Sequence, residues 1–200
     1  MTKATDILKN EHRAIERGLT VLEHCVSRLE SGERVSAGTL ADILKFIRTF
    51  ADKCHHGKEE GYLFPALERS GLPRQTGPLA VMQAEHDEGR RLVGAMAKAL
   101  DGAGSGDPAS VGIFCRSAYS FTGLLRDHIS KEDNVLFVMA DMRLPDKEQE
   151  RLAEDFHAAE TTGEACMMKS ELLRMLDRLE TEMLDKSGNP APPVRDPRDQ

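Results

Sequence analysis

Apolar residues recur along most of this chain at alternating intervals of three and four, the spacing of one face of an α-helix. Leu8, His12, Ile15, Leu19, Leu22, Val26 and Leu29 form one such stripe, and Leu79, Met82, His86, Gly89, Val93, Met96 and Leu100 form another. A third runs through Phe114, Ala118, Phe121, Leu125, His128, Glu132, Val135 and Met139, and a fourth through Leu44, Ile47, Ala51, His55, Glu59 and Tyr62. Clusters of Gly, Pro and Ser separate the stripes at 31–38, 70–78, 101–108 and 144–145. This punctuation predicts five helical segments, near 5–30, 38–69, 77–101, 108–142 and 146–185, with Pro65 kinking or ending the second. Residues 187–200, with four prolines among charges, are expected to be a disordered tail beyond a helical domain over 1–186.

Composition agrees with helices. Aromatic residues are 4% of the 200, with no Trp, which disfavours a sandwich or barrel built on aromatic and β-branched strands. The expected fold is therefore all-α, an up-down four-helix bundle over about 5–142 with an additional C-terminal helix over 146–185. A net charge of −7 excludes a global field that would draw nucleic acid or anionic lipid. No stretch reaches the roughly 20 apolar residues of a membrane span, so a cytoplasmic protein with neither nucleic acid nor membrane as partner is expected. The four cysteines, Cys25, Cys54, Cys115 and Cys166, form no CxxC pair and are expected to be reduced and structural.

Each stripe carries a histidine on its inward side. Shifting the sequence by 73 places His55 on His128, Lys58 on Lys131 and Glu59 on Glu132; shifting it by 74 places Glu11-His12 on Glu85-His86. The chain thus reads as a duplicated helix pair, each half giving a lone inward His and a His-x-x-x-Glu pair one turn apart on one face. The repeat also selects His55 and Glu59 over the equally spaced His56 and Glu60. One seam histidine is ordinarily a hydrogen-bonded core residue, and one His/Glu pair ordinarily a solvated face. Six such groups on four seams are different, because ionised carboxylates in a core are costly unless paired or bound to metal. Nitrogen and carboxylate donors without thiolate suit iron, then manganese or zinc. A ferritin-like centre would show paired Glu-x-x-His motifs, and only Asp52-x-x-His55 comes near one.

From residue 5 to 142 the sequence resembles the hemerythrin-like, HHE cation-binding family. HHGKEEGYLFP at 55, VMQAEHDEG at 81 and HISKEDNVLF at 128 carry the resemblance, and look especially like the di-iron domain of bacterial repair-of-iron-centres proteins. The resemblance implies His12, His55, Glu59, His86, His128 and Glu132 as ligands of two non-haem iron ions, oxo- and carboxylate-bridged. It also implies small diatomic ligands or peroxide as partners, in oxidative or nitrosative stress or iron handling; iron donation to iron-sulfur centres and oxidase or peroxidase chemistry are the alternatives. Oxygen carriers of the family have a further His where this chain has Arg90, which favours reactivity or iron lability over carriage. His56, rotated about 100° from His55 in an α-helix, is expected to flank the site or face solvent, and is a candidate for an outer position or an added ligand. Tyr62 and Arg90 are candidates for a gate or hydrogen-bond donor. His157 and Glu160, on the extra helix, are candidates for an outer position or an added ligand, and that helix for covering the irons or meeting a protein partner.

Overall fold

The computed structural model describes residues 3–184, and the regular elements along them are helices. α1 spans Ala4–Glu30 and α2 Ala37–Phe46; the second rod continues through π-helical turns at Ile47–His56 and Glu59–Leu63 and closes as α3, Phe64–Arg69. α4 spans Gly77–Ser105 and α5 Pro108–Lys131, which runs through a π-helical stretch at Glu132–Leu136 into α6, Phe137–Arg143. α1 lies against α5, α5 against α4, α4 against α2 and α2 against α1, closing a four-rod bundle.

The ends of the rods are set locally. Ser36 accepts a hydrogen bond from the Thr39 backbone N–H at 3.0 Å, and Asp107 accepts one from Ser110 at 2.9 Å ahead of Pro108. α4 stops at Gly106, whose φ of +84° is left-handed and free of strain only without a Cβ.

Two apolar clusters fill the bundle. One takes Ile15 to Leu29 of α1, Leu40 to Ala51, Leu92 to Ala103 and Phe114 to Ile129; the other takes Ala4, Leu8, Leu63 to Leu72, Leu79, Met82 and Leu136 to Leu144. On every rod the inward histidine falls between them, so a polar layer crosses the bundle with apolar packing on both sides. Each fully buried Leu or Phe contributes about 1.5–3 kcal/mol, so the clusters hold the rods and leave the layer free to be chemical.

Beyond that layer the seams slip by one residue. Val135, expected inward, is 49% exposed, whereas Leu136 and Phe137 are buried. A π turn takes one residue more than an α turn, so every side chain past it is displaced by one position. The second rod slips likewise: Leu63 and Phe64 are buried where Tyr62 was expected, and the helix runs on past Pro65 to Arg69, the end expected for this segment.

The C-terminal segment is helical but broken. α7 (Asp146–Thr162), α8 (Glu164–Met167) and α9 (Lys169–Met183) replace the single helix expected over 146–185, because Gly163 adopts extended backbone, φ −82° and ψ 119°. α7 packs on α1 and the turn at Glu59–Leu63, α8 on the Ile47–His56 stretch, and α9 on α1 and α2. Leu152 and Phe156 join one cluster; Leu172, Leu176 and Leu179 join the other. A disulfide joins Cys54 to Cys166, correcting the expectation that all four thiols are reduced; Cys25 and Cys115 are free and buried. The spacing gave no signal, since the partners lie 112 residues apart. The tail expected at 187–200 lies outside the described residues. Among the described residues no helix is long and apolar enough to cross a membrane.

Candidate metal centre

The polar layer brings together all six residues singled out by the repeat. His12, His55, His86, His128, Glu59 and Glu132 are each at most 1% exposed. Their Nε2 atoms face the two carboxylates: His12 is 3.2 Å and His128 3.3 Å from Glu132 Oε2, His86 is 3.4 Å from Glu59 Oε2, and His55 is 3.5 Å from Glu59 Oε1. Glu132 therefore reaches a histidine from each half, as does Glu59.

The other ring nitrogen of each histidine is fixed from outside. Nδ1–H of His55 donates to Glu11 at 3.0 Å and that of His128 to Glu85 at 3.0 Å; that of His12 donates to Asp133 at 2.7 Å and that of His86 to Glu60 at 2.6 Å. A carboxylate can only accept, so each pairing keeps a proton on Nδ1 and turns Nε2 toward the centre. Every outer carboxylate is matched by a cation: Glu11 by Lys58, Glu85 by Lys131, Asp133 by Arg13, and Glu60 by Arg90 at 2.7 Å. The outer ring is thereby neutralised, while the inner ring carries two carboxylates.

The electrostatics ask for positive charge in the middle. Burial would lower the His12 pKa, but the neighbouring Asp133 and Glu132 carboxylates outweigh it and raise it to about 9. His86 is likewise raised to about 9 against its burial by Glu59 and Glu60. Glu59 is held well below the carboxylate range, because the surrounding histidines overcome its desolvation.

His56 joins the layer, on the flanking side of its two expected positions. In the wider π turns adjacent residues diverge by less than the 100° of an α-helix, and both His55 and His56 are brought inward. His56 is 6% exposed, its ring stacked on His86 at 3.8 Å between centroids. Burial and the neighbouring His86 push its pKa down to about 3, so it stands neutral.

The donors pass the test of fit to metal on their unmet bonding capacity. His12 Nε2, His55 Nε2, both ring nitrogens of His56 and all four carboxylate oxygens of Glu59 and Glu132 are buried without a hydrogen-bond partner. Buried polar atoms are rarely left so. Two groups of ligand atoms, each spanning no more than 4.8 Å, could hold a cation: His56, Glu59, His86 and His128 in one, His12, His55, Glu59 and Glu132 in the other. Glu59 belongs to both. The donor set is nitrogen and oxygen without sulfur, suited to iron, manganese or zinc.

The remaining candidates fall outside this layer. His157 is exposed on α7. Glu160 accepts from Lys58 at 3.1 Å and Lys169 at 2.6 Å, and Lys169 also reaches Glu11 at 2.8 Å, so these four form a ring of ion pairs behind His55. Tyr62 is half-buried edge-on to Phe156, ring centroids 6.0 Å apart. Arg90 sits at the rim, donating to Asp52 at 2.8 Å as well as to Glu60. The outer carboxylates had no assigned role in the sequence, although a signal existed: the repeat aligns Glu11 with Glu85 and Lys58 with Lys131 as firmly as the ligands themselves.

An uncharacterized protein of Mycobacterium tuberculosis and one of Mycobacterium bovis are each 27% identical to the chain over 134 residues, 67% of this chain and 52% of theirs. The iron-sulfur cluster repair protein YtfE of Salmonella newport is 36% identical over 91 residues, 43% of this chain and 40% of that protein. The chain thus spans about half the length, or less, of these relatives. No solved structure matches it. The model of the hemerythrin HHE cation binding domain matches residues 3–140, the four rods and the whole polar layer, and the chain belongs to that family.

Proposed function

We propose that the layer holds two non-haem iron ions and that the protein binds or reacts with O2, NO or peroxide through them. Supporting this above all is the sharing of Glu59 by two adjoining groups of donors, in which His12 Nε2, His55 Nε2, both His56 nitrogens and the carboxylate oxygens of Glu59 and Glu132 are buried without a hydrogen-bond partner. His12, His55 and Glu132 would serve one ion and His56, His86 and His128 the other, with Glu59 available to both. Iron held this way would supply one-electron chemistry and an exchangeable position for a small ligand. The chain's own residues do the rest: the four outer carboxylates keep the imidazoles in one tautomer, and the apolar clusters on either side exclude water. The donor count leaves the His12/His55 side with fewer imidazoles, which favours ligand exchange on that side.

The likeness to an iron-sulfur cluster repair protein supports a second reading, in which the same ions are handed to damaged iron-sulfur proteins. Iron analysis followed by rapid mixing of the reduced, iron-loaded protein with O2, NO and peroxide tests both. About two irons per chain and a spectral response to one of these ligands are expected. Transfer of iron to an apo iron-sulfur acceptor without such a response would favour donation. A folded chain that takes up no metal sinks both readings.

A further inference from the structure

Between the Ile47–His56 stretch, α4 and α5 lies a pocket of about 200 Å³. Its walls include Ile47, Ala51, Val93, Phe121 and Leu125; its polar lining includes Arg48, Asp52, Glu85 and Arg90, with the rings of His56 and His86 at one side. It stands apart from α7–α9, so the expected cover does not close it.

The charges lining it are unequal in one respect. Arg90 is spent on Asp52, Glu60 and Asp87, and Glu85 on His128 and Lys131. Arg48 is exposed and makes no ion pair or hydrogen bond among the described residues. One uncommitted cation at an apolar pocket selects for a single negative charge on an apolar body. Size narrows this further: a dry cavity of roughly 150 Å³ holds benzene, so this pocket has room for a ring and one small polar group.

We propose that the pocket binds a small monocarboxylate of about the size of benzoate, its carboxylate received by Arg48 and its body against Val93, Phe121 and Leu125. His56, nine-tenths buried with both ring nitrogens unpartnered, lies along the pocket and so registers the ligand. This inference rests on the pocket's walls and charge and does not require metal in the layer.

The test is calorimetric titration of the full chain, loaded with zinc and assayed for metal, with benzoate and with benzylamine. Benzoate is expected to bind one per chain at least about tenfold more tightly than benzylamine, and to shift the His56 imidazole resonances. Arg48→Gln, at an exposed position without an ion pair or hydrogen bond among the described residues, is expected to weaken benzoate about tenfold. Val93→Phe is expected to abolish binding by filling the pocket; should it fail to fold, the Arg48 variant decides alone. The proposal is overturned if benzoate gives no binding, if benzylamine binds as well, or if Arg48→Gln leaves benzoate affinity unchanged. Metal content read on the same samples separates this from the metal proposal: benzoate binding by a chain that takes no metal defeats only the latter.

Discussion

The two halves of the duplicated bundle carry the same chemistry in different surroundings. In the first, Glu11 holds His55 and is matched by Lys58, whose side chain is 1% exposed; in the second, Glu85 holds His128 and is matched by Lys131, whose side chain is 41% exposed. The difference is the C-terminal segment. Glu160 and Lys169 close a ring of ion pairs around Glu11 and Lys58, and the disulfide pins α8 beside His55. Among the described residues no such cover lies over Glu85. The repeat thus fixes where the imidazoles point, while an appendage outside the repeat fixes how strongly each half's charges act.

The sharpest way to break the comparison is to neutralise the paired carboxylates one at a time. Glu11→Gln leaves Lys58 and Lys169 facing a single carboxylate in a buried setting, and is expected to destabilise the protein by about 3–5 kcal/mol. Glu85→Gln loses a partly solvated pairing and is expected to cost about 1 kcal/mol or less. Denaturant unfolding of the metal-free proteins measures both. Equal losses would mean that the cover does not set the local dielectric.

Next is the disulfide. Cys54→Ser is expected to lower stability by about 2–4 kcal/mol, since the bond closes a long loop in the unfolded chain. Hydrogen exchange should quicken over α8 and α9 and stay unchanged in α4 and α5. Uniform quickening across the bundle would show that the bond serves the whole fold instead of the first half.

These two features also mark where the sequence stopped being legible. The stripes through Leu8 to Leu29 and Leu79 to Leu100 fixed two rods and their inward histidines, because an unbroken α-helix keeps its period. That period fails where the helix widens: Val135 and Tyr62 are expected inward and lie off the seam, both within π turns whose extra residue leaves no mark in a 3.6-residue pattern. The outer carboxylates were visible only as repeated letters, since a tautomer-setting hydrogen bond between two rods depends on their lateral packing. The disulfide and the break at Gly163 depend on how the appended segment folds back, which nothing in the repeat encodes.

His56 is the point where the halves differ within the layer, for the repeat places Ile129 opposite it. His56→Ile makes the halves alike, and its effects are expected to take opposite signs. Without metal the variant should melt slightly higher, because a buried imidazole with two unpartnered nitrogens is replaced by an apolar side chain of similar size. With metal, affinity on the His86/His128 side should fall at least tenfold, about 1.4 kcal/mol. Competition with a chelator of known affinity reads the loss. An unchanged affinity would make His56 a neighbour of the cations and not a ligand.

The smallest expected effect is at His157, which stands on the covering segment yet faces away from what it covers. It is exposed, whereas Phe156 beside it is fully buried in the apolar cluster and Glu160, one turn on, turns in to meet Lys58 and Lys169. The cover therefore acts through Phe156 and Glu160, and the imidazole between them has no route to the centre. His157→Ala is expected to change stability by no more than about 0.5 kcal/mol and to leave metal content untouched. Glu160→Gln is the matched control, because it opens the ion-pair ring and should weaken the first half alone. Loss of metal on removing His157 would require α7 to turn over when the cations bind, and the asymmetry between the halves would then belong only to the metal-free protein.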